Sequence, residues 1–137
     1  MIRGSCLCAE VRFEISGALT GSSHCHCAMC RKAHGAAFGT YAAANASDFH
    51  VISGADRITR YRSSPGVVRT FCSRCGSTLQ WLRESKPDLV DVALGVIDGD
   101  PGVRPSSHIF VGSKAPWHEI TDGLPQHATR PGAPQQN

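Results

Sequence analysis

An all-β domain of short antiparallel strands is the fold this sequence predicts, on three observations. Short apolar runs recur between turn signals along most of the chain. Fourteen glycines and eight prolines supply those turns. Two cysteine pairs, Cys6/Cys8 and Cys72/Cys75, stand far apart in sequence and are spaced to clip the first strand to a central hairpin.

The elements follow in order. Val11, Phe13 and Ile15 alternate with Glu10, Arg12 and Glu14, the pattern of a strand with one wet face. Gly17 and Gly21 mark the next turn. Arg31-Lys32-Ala33-His34 suits one helical turn, stopped by Gly35. Residues 36–44 fit strand or helix; Gly35, Gly39, Phe38 and Tyr41 favour strand. Further strands are expected at Phe49–Ile52, Ile58–Arg62, Val67–Phe71, Thr78–Leu82, Leu89–Val96 and His108–Val111. Residues 121–137 are rich in Pro, Gln, Gly and Thr. They read as a loose tail, which bounds the domain at 1–120. Trp81 and Trp117 are expected in the core, and Asp91 and Asp98 on the surface.

The chain has 137 residues, 41% hydrophobic and 18% charged, which fits one globular domain. A net charge of +3 is too mild to argue for nucleic acid or a membrane surface. No apolar run reaches the roughly 18 residues of a membrane span. The first residues lack the apolar core of a secretory signal. A cytoplasmic protein is expected, and there clustered thiols bind metal or do redox chemistry rather than form disulfides.

The seven cysteines partition without remainder into Cys6-x-Cys8, Cys25-x-Cys27-x-x-Cys30 and Cys72-x-x-Cys75. Zinc in a closed structural site takes four ligands, and catalytic zinc takes three and keeps one position open. The two pairs make one closed set of four. A thioredoxin-like redox pair at Cys72 and Cys75 is the other reading, but its βαβ surroundings are missing. The triplet is one ligand short. Water, a substrate thiol or a histidine such as His24 or His26 can complete it. Arg31 and Lys32 can offset the negative charge of the triplet, hold a substrate carboxylate or simply lie solvated. His24, His26 and His34 are candidate proton carriers. His108, in His-Ile-Phe-Val, reads as a satisfied histidine at the core edge, or as a group facing the open metal.

The motifs Gly4-Ser5-Cys6-Leu7-Cys8, Cys25-His26-Cys27-Ala28-Met29-Cys30-Arg31-Lys32, Arg69-Thr70-Phe71-Cys72-Ser73-Arg74-Cys75-Gly76 and Lys114-Ala115-Pro116-Trp117 carry a resemblance. In order and spacing, residues 4–118 resemble the glutathione-dependent formaldehyde-activating enzymes, a family that includes S-(hydroxymethyl)glutathione synthase and the centromere protein V group. The resemblance implies an Mss4-like fold clasped by a structural zinc on Cys6, Cys8, Cys72 and Cys75. It implies a catalytic zinc on Cys25, Cys27 and Cys30, two zinc ions per chain. The implied activity is that of a carbon–sulfur lyase acting on the S-hydroxymethyl adduct of glutathione, or a similar thiol, with formaldehyde. A non-catalytic zinc-binding interaction module is the alternative. The resemblance makes Arg31, Lys32, Arg69 and Arg74 candidates for a cationic cradle around the two carboxylates of glutathione, and this chain is shorter than the glutathione enzymes proper.

Overall fold

The computed structural model describes residues 1–131, arranged as two packed sheets and one short helix. The first sheet holds β1 (Ile2–Ser5), β2 (Arg12–Ile15), β5 (Phe49–Ser53) and β10 (Ile97–Asp98) in the order β10-β1-β2-β5. The second holds β3 (Thr20–Cys25), β4 (Gly39–Asn45), β6 (Ile58–Ser64), β7 (Val67–Cys72), β8 (Thr78–Arg83), β9 (Leu89–Ala93) and β11 (His108–Ile109). Their order is β11-β3-β4-β9-β8-β7-β6. Every strand pairing is antiparallel except β11 with β3, where His108 lies beside His24 and Ile109 beside Cys25 in a parallel register.

The alternation in β2 does what its sequence requires. Phe13 and Ile15 are buried, and between the sheets they meet Leu19, Ala42, Ala44, Val90 and Val92. Burying each of the larger side chains contributes roughly 1.5–3 kcal/mol. Phe13 also stacks on Phe49, with ring centroids 4.7 Å apart. The alanine run of β4 is a strand because of where it sits. It is a central strand, and Ala42 and Ala44 are buried in the cluster between the sheets.

Helix α1 (Ala28–His34) begins three residues before the expected turn at Arg31. Cys27 caps it, its Sγ accepting from the Cys30 amide at 3.3 Å. Gly35 ends it at φ 60°, a left-handed C-cap whose amide donates to the Arg31 carbonyl.

Several elements depart from the sequence reading. β1, β3 and β10 are strands without an apolar alternation to announce them. The run expected to reach Val96 leaves the sheet after Ala93 and makes a 3-10 turn over Leu94–Val96. The strand at His108 stops at Ile109, because Phe110 takes φ 55° and turns the chain away. Trp117 is 71% exposed rather than in the core. The tail expected from residue 121 is docked as far as it is described. The His108 amide donates to the Pro125 carbonyl at 2.8 Å, and the Phe110 amide to the Thr129 carbonyl at 3.0 Å. Composition cannot register this pairing, because it uses backbone groups against a strand edge. Residues 132–137 of that expected tail lie outside the described residues. Among the described residues no helix is long and apolar enough to cross a membrane.

Candidate metal centres

Cys6 and Cys8 sit in the turn from β1 to β2, and Cys72 and Cys75 in the turn from β7 to β8. The two turns come from different sheets, and their four sulfurs all lie within 4.8 Å of one another. Zinc–thiolate bonds of about 2.3 Å in a tetrahedron place neighbouring sulfurs about 3.8 Å apart. Cys6 and Cys8 are 3.5 Å apart and Cys8 and Cys72 are 3.9 Å apart, so the set fits one tetrahedral ion. The Val11 amide donates to Cys6 Sγ at 3.3 Å. Ser77 Oγ lies 3.3 Å from Cys75 Sγ and accepts from the Leu7 amide at 2.8 Å, tying the two turns together. Ala9 holds φ 62° inside the first turn, an uncommon conformation for a residue with a side chain. Arg74 stands here, paired with Glu10, whose carboxyl its hydrogen bond holds below the usual range.

The triplet forms the second group. Cys25 ends β3, Cys27 caps α1 and Cys30 lies in its first turn; their sulfurs are also within 4.8 Å of one another. No histidine joins them among the described residues. The reason is strand geometry, since successive side chains point to opposite faces. His24 and His26 turn away from the sulfurs toward Phe38 and His108. His24 Nδ1 meets Thr40 Oγ1 at 2.7 Å. His26 Nε2 meets His108 Nδ1 at 2.7 Å, and His108 Nε2 meets the Asp122 carboxylate at 2.9 and 3.0 Å. His108 is therefore a satisfied buried histidine, held by the docked C-terminal segment.

The open side of the triplet faces a cavity of about 280 Å³ lined by all three cysteines. Hydrogen bonds from Cys25 and Cys30 depress Cys27 far below an ordinary thiol, and the same bond pushes Cys25 up. Arg69, only 7% exposed, points Nη1 and Nη2 at Cys30 Sγ over 3.7 and 3.6 Å and donates to Tyr41 Oη at 3.3 Å. Tyr41 Oη also meets His34 Nε2 at 2.8 Å. Burial holds the Tyr41 hydroxyl protonated well above its usual range. A Cβ at Gly39 would come 2.6 Å from His34 Nε2, so a larger residue there would displace the His34 ring.

Of the cations singled out from sequence, Arg69 reaches the triplet. Arg31 and Lys32 are on α1 but do not line the cavity, and Arg74 serves the four-cysteine group. Among the other wall residues, Tyr41, Trp81, Asp91 and Arg130 carry polar or aromatic groups and were not singled out as site residues. Tyr41 lies in the ambiguous run. Trp81 and Asp91, expected in the core and on the surface, instead form one cross-strand row with Arg69 across β7, β8 and β9. Arg130 comes from the segment expected to be loose.

Fold and site together define a class: a small β protein with a four-cysteine group joining its sheets and a three-cysteine group at a cavity, each able to hold a metal. A sequence profile of the glutathione-dependent formaldehyde-activating enzyme family matches residues 1–113, and the chain belongs to that family. It is 33% identical over 129 residues to a protein of Halomonas elongata described as a "Putative glutathione-dependent formaldehyde-activating enzyme". That match covers 88% of this chain and 81% of the relative. A crystal structure of a Rhodobacter sphaeroides protein superposes with a TM-score of 0.61 at 28% identity, covering 72% of this chain and 89% of the other.

Proposed function

We propose that the triplet carries the addition of a thiol, glutathione or one like it, to formaldehyde, with zinc at both cysteine groups. The thiol sulfur bonds to the carbonyl carbon, the carbon–oxygen π bond breaks, and the sulfhydryl proton ends on the new hydroxyl. The reverse step cleaves a carbon–sulfur bond, which makes the enzyme a carbon–sulfur lyase. The observation that carries this reading is the open side of the triplet, three sulfurs at a cavity with no fourth protein ligand among the described residues. All-thiolate donors suit zinc. Zinc held there supplies the means to keep an incoming thiol deprotonated, and so nucleophilic, at neutral pH.

The chain's own residues do the rest. Arg69 offsets the negative charge of the sulfurs and presents a fixed positive charge beside the reacting atoms. Its partner Tyr41 stays protonated and holds the guanidinium in place. Trp81, Ile109 and Phe110 give the cavity apolar walls that limit water around the aldehyde.

The test is zinc stoichiometry by native mass spectrometry, with chelator challenge in the presence and absence of glutathione. The expected result is two zinc ions per chain, one of them labile and protected by glutathione. Two zinc ions that resist chelator equally and ignore every thiol would overturn the enzyme reading and leave a non-catalytic zinc-binding module.

A further inference from the structure

The cavity beside the triplet carries a second cation, delivered from outside the region the family shares. The family match ends at residue 113, and Arg130 lies beyond it. The segment bearing Arg130 is tied to the strand end at the cavity wall. Phe110 donates to the Thr129 carbonyl at 3.0 Å, and Gly112 to the Ala128 carbonyl at 3.2 Å. The Arg130 guanidinium carbon then lies 5.5 Å from the ring centroids of both Trp81 and Phe110. Contact with two aromatic faces fixes a guanidinium without using its N–H edges, which stay available for a bidentate partner.

The other charges of the cavity are already engaged. Arg69 is committed to Cys30 and Tyr41. Asp91 is 3.8 Å from Arg83. Arg130 has no hydrogen bond or ion pair among the described residues. Asp91 feels its charge across the cavity but pairs with Arg83, so no contact among the described residues uses the N–H edges of Arg130, and they are left for a ligand. A ligand that fills the cavity from the triplet outward meets sulfurs at one wall and this guanidinium at another.

We propose that Arg130 is the carboxylate-recognising residue of this cavity, which selects ligands bearing a carboxylate on the same molecule as their sulfur. The proposal deepens the reading of the triplet as a thiol site and rests on it for the sulfur end alone. Arg–carboxylate forks are directional, so lysine at this position is a poor substitute.

The experiment is calorimetric titration of zinc-loaded wild type, Arg130→Gln and Arg130→Lys with three probes. Glutathione has a thiol and carboxylates. S-methylglutathione keeps the carboxylates and lacks a free thiol. Cysteamine has the thiol and no carboxylate. In Arg130→Gln, binding of glutathione and S-methylglutathione should weaken about ten- to hundredfold, the usual range for losing a charged hydrogen-bond pair. Cysteamine binding should be unchanged, and Arg130→Lys should restore only part of the loss. Arg130 is exposed, so the melting temperature should stay within a degree or two of wild type. Unchanged S-methylglutathione binding in Arg130→Gln, or none to wild type, would overturn the proposal. So would an equal loss for all three probes. Failure of the thiol reading looks different: wild type would bind glutathione no tighter than S-methylglutathione, while the comparison with Arg130→Gln still decides the carboxylate question.

Discussion

Arg69 shows how one side chain ties the cavity to the sulfurs. A buried guanidinium is costly unless its charge and its N–H groups are met. Here Cys30, Tyr41 and Ser63 meet them. Arg69→Gln removes the charge and two contacts to a ligand sulfur. Metal affinity of the triplet should fall about 10–100-fold, the usual cost of losing a partner of a metal ligand. Chelator competition reads this, and the four-cysteine ion should be unaffected. His34, behind Tyr41, gives a pH prediction. Burial, and then the Arg69 charge, lower its imidazole below the ordinary value. The unfolded chain takes up that proton below pH about 6.5, and the folded chain only at lower pH. The stability that neutral His34 contributes is therefore complete above about 6.5 and declines as the pH falls. An NMR titration should place its midpoint below 6.5, and His34→Gln should melt with a shallower pH dependence between about 7 and 5. A midpoint at or above the ordinary value would contradict the assignment.

Helix α1 serves the triplet by sharing a residue with it. Cys27 is both the helix cap and one of the three cysteines that could hold a metal. Serine caps helices well but is a poor zinc ligand. With a metal at each group as proposed, Cys27→Ser should therefore stay folded and lose one ion per chain, counted by elemental analysis. A collapsed protein would instead make the triplet structural. The helix stop was plain from sequence, because Gly35 supplies the left-handed cap. Its start was not, because cysteine is an uncommon cap residue. β3 was hidden for a related reason. Thr20–Cys25 has little apolar alternation, and pairing with β4 and β11 makes it a strand.

The four-cysteine clasp acts on the whole molecule, because its two turns belong to different sheets. Cys8 and Cys72 meet across 64 residues of chain. Structural zinc in small sites contributes roughly 10–16 kcal/mol of binding free energy at pH 7, as much as the whole stability of an ordinary domain. Cys72→Ser, or stripping both ions with a strong chelator, should abolish the cooperative thermal transition seen by calorimetry. A transition within a few degrees of wild type would show that the sheets hold together unaided. The sequence by itself determined the cysteine motifs, the β class and the family, because thiols within a few residues of each other are bound to meet at short range, and two pairs add up to the four ligands of one closed site although 64 residues separate Cys8 from Cys72. Tertiary structure alone decided what surrounds the triplet. Arg69, Trp81 and Asp91 share a wall through strand register, and Arg130 arrives because a segment without local structural signals pairs with a strand edge. Spacing along the chain encodes the first kind of contact; the second depends on which backbones lie side by side.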